Sequence, residues 1–166
     1  MGAISQQVIS NLVEQLAKSL LAKKLKLATA ESCTGGWIAK SLTAYPGSSD
    51  WFDSGFVTYS NTAKQRMLNV PTEFFQAGAP GAVSQEVVRA MTAGAIANSL
   101  ANVTVAVSGI AGPDGGTPDK PVGTVWIAWQ WEKKVLAQKF QFIGDRETVR
   151  EAAVEAALRG VLALIG

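Results

Sequence analysis

Three short stretches hold the side chains able to do covalent chemistry. Glu31-Ser32-Cys33-Thr34-Gly35-Gly36 sets two hydroxyls and the only thiol of the chain side by side. Tyr59 stands five residues before Lys64, and Gly109-Ile110-Ala111-Gly112-Pro113-Asp114-Gly115-Gly116 gathers four glycines. No histidine occurs anywhere in the 166 residues. Its absence removes Ser-His-Asp and Cys-His catalysis and argues against a catalytic zinc centre. A serine nucleophile then needs another base, and lysine is the known alternative. Ser32 is the candidate nucleophile and Lys64 the candidate base, with Tyr59 placed to relay or orient the proton. Cys33, Ser48 and Ser49 stay open as alternative nucleophiles.

The elements that must position these groups follow from periodicity. Ala3 to Leu21 reads as an amphipathic helix with Ile4, Val8, Leu12, Leu16 and Leu20 on one stripe. Its polar interruptions rule out a signal peptide or membrane span. Leu25 to Ala30 is strand-like, and a helix opens at Trp37 and ends near Tyr45, before Pro46-Gly47. Trp51 to Ser60 is the second strand. Ser60 or Asn61 caps a short helix through Leu68, and Glu73 to Val83 is loop-like. Ser84 caps a helix from Gln85 to Leu100. Asn102 to Ser108 is an apolar strand in which Val103, Val105 and Val107 alternate with smaller residues. Val122 to Trp131 and Val135 to Ile143 read as a hairpin about Glu132-Lys133-Lys134. Asp145 caps the final helix.

This order predicts a three-layer α/β domain spanning residues 1–166, with a mostly parallel sheet and one antiparallel member in the hairpin. Parallel strands ending in ESCTGG, Tyr59-SNTAK and the glycine loop would bring all three loops to one sheet edge, where open α/β sheets bind ligands. There Cys33, Thr34, Gly35 and Gly36 would face substrate at a helix N-terminus, with Ser49 as a reserve hydroxyl. Gly109, Gly112, Gly115 and Gly116 would offer backbone N–H groups to an anion. Lys64 lies in the first turn of its helix, where the macrodipole and partial burial would lower its pKa. Arg146, behind the cap Asp145, either meets an anion at the positive end of the final helix or, like Arg150 one turn on, pairs with Glu147 or Glu151 on a solvated face; for Arg150 the pairing is expected.

Composition describes a compact soluble protein rather than a disordered one: 48% of residues are hydrophobic, 17% are charged and the net charge is +2. Nucleic acid is not expected as a partner, because no basic run stands out. One cysteine excludes an internal disulfide and fits a reducing, cytoplasmic setting. Trp126, Trp129 and Trp131 on the hairpin suit either the core or a homo-oligomer interface.

AESCTGGWIAKSLT, GSSDWFDSGFVTYSNTAK, GAVSQEVV, SGIAGPDGGTPDKPVGTVW and GDRETVR, in this order, resemble the CinA C-terminal domain family. The similarity covers nearly everything from about Leu25 onward. It implies a three-layer α/β/α fold with a mixed five-stranded sheet. It also implies hydrolysis of nicotinamide mononucleotide to nicotinate mononucleotide and ammonia by a serine-lysine mechanism, without cofactor or metal. Ser32, Tyr59 and Lys64 match the reactive positions of that family, and Arg146 its conspicuous basic position. A competing expectation is a non-catalytic nucleotide-binding module with a competence or DNA-damage role.

Overall fold

The computed structural model describes residues 2–166. Strand β3 (Val103–Gly109) shows why the two faces of the sheet differ. Side chains alternate across a strand, so Val103, Val105 and Val107 share one face while Thr104, Ala106 and Ser108 share the other. The neighbouring strands β1 (Leu27–Glu31) and β4 (Thr124–Trp131) repeat the pattern. The bulky face, with Leu27, Val125, Ile127 and Trp129, packs against helices α1 (Ala3–Lys23), α2 (Trp37–Thr43) and α5 (Arg146–Ile165). The small face, Ala30, Ala106 and Ala128, lets Val87, Val88 and Met91 of α4 (Gln85–Ala97) settle close, beside Leu68 of α3 (Asn61–Leu68).

The strand order is β2-β1-β3-β4-β5, with β2 at Phe52–Val57 and β5 at Lys134–Gln141. The expected three-layer α/β/α arrangement with a mixed five-stranded sheet is what the chain forms. The mostly parallel pairing needs a correction. β1 pairs in parallel with β2 and β3, whereas β3–β4 and β4–β5 are antiparallel. Four strands share one direction, but β4 returns between two of them, so its two long ladders match the parallel ones in number.

The register levels the strand ends. Glu31 stands opposite Val57 on one side and Val107 on the other. The chain leaves β1 towards β2 over one face and returns from β2 to β3 over the other, which creates a topological switch point beside β1. Ser32, Thr58 and Ser108 therefore emerge side by side.

Several boundaries moved for local reasons. α1 runs on to Lys23 and stops at Lys24, in the left-handed region at φ 56°. β2 is shorter than the expected Trp51 to Ser60, since Trp51 closes a 3-10 turn over Ser48–Asp50 and Thr58-Tyr59 turn their carbonyls away. α4 stops at Ala97 because Asn98 and Ser99 side chains take the Gly94 and Ala95 carbonyls. Trp129 and Trp131 pack into the α1/α5 core and Trp126 into the α4 core. Among the described residues, no helix is long and apolar enough to cross a membrane.

Gly160 sets how closely α5 lies on the sheet. A Cβ there would fall 2.0 Å from Cε2 of Trp129, whose Nε1 donates to the Ala157 carbonyl at 2.9 Å. Alanine is the better helix former, yet overpacking a closed contact costs about 1–3 kcal/mol. Gly160→Ala should therefore lower the urea midpoint and Tm; an unchanged or raised Tm would mean that this contact is looser than the geometry shows.

Candidate active site

Ser32 begins where β1 ends. Its N–H still donates to Val107 O at 3.0 Å, and Gly35 N–H turns back to Ser32 O at 3.0 Å. The reversal needs Gly35 at φ 59° and Gly36 at φ 101°, where a side chain is strained. Lys64 sits at the fourth position of α3, after Ser60, whose Oγ caps the helix by accepting from Ala63 N at 3.0 Å. From there Nζ reaches 2.9 Å from Ser32 Oγ and donates to the carbonyls of Thr58 at 2.9 Å and Tyr59 at 3.1 Å.

The Lys64 side chain is 1% exposed. Burial strips water from the ammonium and pulls its pKa from 10.5 down to about 8. Burial, expected from the sequence alongside the helix dipole, is the leading cause of the shift. When the amine is neutral, two N–H bonds go to the two carbonyls and the lone pair is left for the Ser32 hydroxyl. That is the arrangement a serine nucleophile needs from a lysine base.

One functional residue escaped the sequence reading. Glu31 is fully buried, and its carboxylate accepts from Thr34 Oγ1 at 2.7 Å, Ile38 N at 2.9 Å and Ala39 N at 3.0 Å. It caps α2, whose own N-cap position is Gly36 and offers no side chain. The signal was there: an acidic residue seven before a helical N–H, with glycine at the cap. As a result the N-terminus of α2 is already occupied by an anion and is not a free site for substrate.

A cleft of about 270 Å³ opens over the pair. Ser32, Cys33, Tyr59, Lys64, Gly109, Gly112, Gly115 and Arg146 all line it, with Asn61, Ser108 and Asp114 added by the fold. Gly109 permits a close approach, since a Cβ there would stand 2.6 Å from Val125 Cγ2. Arg146 spans the rim, donating to Gly112 O at 2.8 Å and to the Tyr59 hydroxyl at 3.0 Å. Tyr59 thus meets Lys64 through its carbonyl, while its phenol faces Arg146.

Other expected residues lie elsewhere. Thr34, Gly35 and Gly36 border a separate groove behind the turn, with Trp37 and Arg150. Gly116 packs on the Val122 backbone. Ser48 and Ser49 precede β2, so the parallel register Leu27↔Phe52 carries them to the opposite sheet edge from Ser32. Arg150 pairs with neither Glu147 nor Glu151. It donates to the carbonyls of Cys33 at 3.0 Å and Thr34 at 3.3 Å and lies 5.7 Å from the Trp37 ring centroid. The cap carboxylate of Asp145 takes Thr148 N at 2.9 Å, which leaves the Arg146 side chain, rather than the α5 terminus, as the cation facing the cleft.

An α/β sheet with a buried serine-lysine pair at its carboxyl edge and an arginine at the rim defines a candidate acyl-transfer enzyme. The profile of the CinA C-terminal domain matches residues 9–165, and the chain belongs to that family. It is 55% identical over 156 residues to nicotinamide-nucleotide amidohydrolase PncC of Pseudomonas putida, covering 94% of this chain and 96% of that protein. It is 47% identical to the protein of the same name from Escherichia coli K12, covering 91% of each. In structure it superposes on the competence/damage inducible protein CihA of Agrobacterium tumefaciens with a TM-score of 0.92 and 42% identity, covering 96% of both.

Cys33 tests the local environment independently of any substrate. Burial pushes its thiol up to about 12, so the thiolate is scarce at neutral pH. Native protein should resist iodoacetamide at pH 8 and react quickly once unfolded in urea. Rapid alkylation of the native state, read by intact mass, would contradict the buried, protonated thiol.

Proposed function

We propose that this chain, acting as one domain with α1 packed on its α5 face, is a nicotinamide-nucleotide amidohydrolase working through Ser32 and Lys64. The observation that carries the reading is the 2.9 Å contact between Lys64 Nζ and Ser32 Oγ inside a cleft that ends at Arg146. The names of relatives matched over nearly their full length supply the substrate class, a nicotinamide nucleotide, which we take as nicotinamide mononucleotide, a small anionic nucleotide bearing a carboxamide. A cytoplasmic setting belongs to the same proposal, with no cofactor or metal in the reaction.

Ser32 Oγ attacks the carboxamide carbon as its proton passes to Lys64. Backbone N–H groups of the turn hold the developing oxyanion. The Lys64 ammonium then protonates the departing nitrogen, and ammonia leaves. Water attacks the resulting ester, Lys64 again taking the proton, and nicotinate mononucleotide is released. Nothing in this cycle needs a histidine, because a partly neutral amine already stands against the hydroxyl. Tyr59 supports the base with its carbonyl and orients Arg146 with its phenol.

Ammonia release from nicotinamide mononucleotide by purified protein is the direct test. Ser32→Ala and Lys64→Met should each lower kcat by orders of magnitude, and the double variant should be little worse, since the pair acts as a unit. Lys64 must be neutral to accept a proton, so kcat/KM should rise about tenfold per pH unit below its pKa and level above about 8. A flat profile from pH 6 to 9, or near-normal turnover by Ser32→Ala, would sink the mechanism. Binding of the nucleotide without any turnover would favour the non-catalytic module.

The phosphate of the substrate lies far from its amide, so its grip must come from the rim. Losing a charge-assisted contact there costs about 1.5–3 kcal/mol, roughly ten- to a hundredfold. Arg146→Ala should cut kcat/KM for the nucleotide by about that factor and hardly change turnover of the phosphate-free riboside. Equal proportional losses on both compounds would assign the phosphate to the Gly109–Gly116 loop and leave Arg146 a role in ordering Tyr59.

A further inference from the structure

We infer that Arg150 is a positioning residue for attack by Ser32, acting by fixing the peptide planes of the turn that carries the serine. The inference rests on the Ser32–Lys64 reading above. Arg150 does not touch the cleft. It lies behind the turn, in a groove of about 640 Å³ that it shares with Trp37, Lys40 and Glu147. No carboxylate lies within ion-pairing distance of its guanidinium among the described residues. It donates instead to two consecutive backbone carbonyls, Nε to Cys33 O and Nη2 to Thr34 O. A Cβ on Gly35 would stand 3.3 Å from Nη2, so the guanidinium comes up against the turn where the glycine leaves room.

Peptide planarity carries the consequence to the other side. In a trans peptide the C=O and the following N–H point in opposite directions. Drawing the Thr34 carbonyl towards Arg150 sends the Gly35 N–H the other way, where it donates to Ser32 O at 3.0 Å. Drawing the Cys33 carbonyl towards Arg150 sends the Thr34 N–H to that same side. Among the described residues this N–H donates to no protein acceptor. The forked guanidinium thus fixes two successive peptide planes of the turn and, through the Gly35 N–H, the Ser32 carbonyl, so the nucleophile is held by contacts made behind it. A lysine here would replace the planar fork, whose Nε and Nη2 reach the two carbonyls separately, with a single donor nitrogen.

Two assays with Arg150→Met and Arg150→Lys separate this from a packing role. The first measures kcat and KM for ammonia release from nicotinamide mononucleotide. The second measures phosphonylation of Ser32 by an alkyl fluorophosphonate, in which the Oγ–P bond forms, the P–F bond breaks, fluoride leaves and Lys64 takes the serine proton. In both variants kcat should fall about ten- to a hundredfold with KM nearly unchanged, and phosphonylation should slow in proportion. The pH midpoint of phosphonylation should stay in place, because the Thr58 and Tyr59 carbonyls that hold Lys64 are untouched. Methylguanidinium should restore part of the rate to Arg150→Ala, since the groove is open and Trp37 offers a platform for the cation.

Wild-type phosphonylation rates in Arg150→Met would overturn the inference. So would a loss that follows the unfolded fraction, raises KM equally and resists rescue. Arg150-dependent phosphonylation of a protein that releases no ammonia would uphold the inference and reject the substrate; no phosphonylation of the wild type would reject both.

Discussion

The buried amine of Lys64 is the constraint to which the rest of the structure answers. Moving its pKa from 10.5 to about 8 corresponds to roughly 3 kcal/mol against the charged form. Such a group persists only if its protons are received, and three oxygens receive them. Two are carbonyls freed because β2 leaves its ladder after Val57, although the Thr58 N–H still donates to Glu31 O at 2.9 Å. The third is Ser32 Oγ, brought level by the common register of β1 with β2 and β3. The α4 side supplies the burial, and it comes so close only because Ala30, Ala106 and Ala128 keep that face of the sheet low.

Much of this was legible in the chain. The alternation of Val103, Val105 and Val107 with small residues announced a strand with unlike faces, and Ser60, Ser84 and Asp145 cap helices as their spacing suggested. Strand order was not legible, since periodicity carries no information about neighbours. It decides which loops meet: Ser48 and Ser49 resemble Ser32 in type but begin a strand, whereas Ser32 follows one. The same limit applies to Arg150. An i, i+4 arrangement of charges on a helix suggests a solvated ion pair, and nothing local shows that the turn after β1 will fold beneath it. Lys64 was read as perturbed by the macrodipole and partial burial together; only the packed α3–α4 face shows how complete that burial is.

The ESCTGG turn, read in one dimension, looks like a ready anion site at a helix N-terminus. In three dimensions it is already neutralised: Glu31 takes the helix N–H groups and Arg150 takes the carbonyls. Those contacts satisfy polar groups that would be costly to bury unpaired. They also make the turn rigid at the point where a serine must be held within a fraction of an ångström of its base. The glycines serve this geometry, not a ligand, since Gly35 and Gly36 sit at positive φ.

Glu31 and Lys64 lie within one turn of chain or hydrogen bond of the same serine, yet they do not pair. Alternation along β1 is the reason. Leu27 faces the α1/α5 core and Ala30 faces α4, so Glu31 projects with Leu27 towards α2, while Lys64 approaches from α3 on the other face. The sheet stands between them. Burial is the chief cause of the shift at Lys64, and no carboxylate contributes to it. Slipping β1 by one residue would turn Glu31 to the α4 face and give the amine an anion. The pair would then hold the proton, raising the pKa back towards that of an ordinary lysine and leaving Ser32 without a base. With no histidine in the chain, the register of one five-residue strand keeps a buried acid and a buried base apart, and so keeps the amine able to accept a proton.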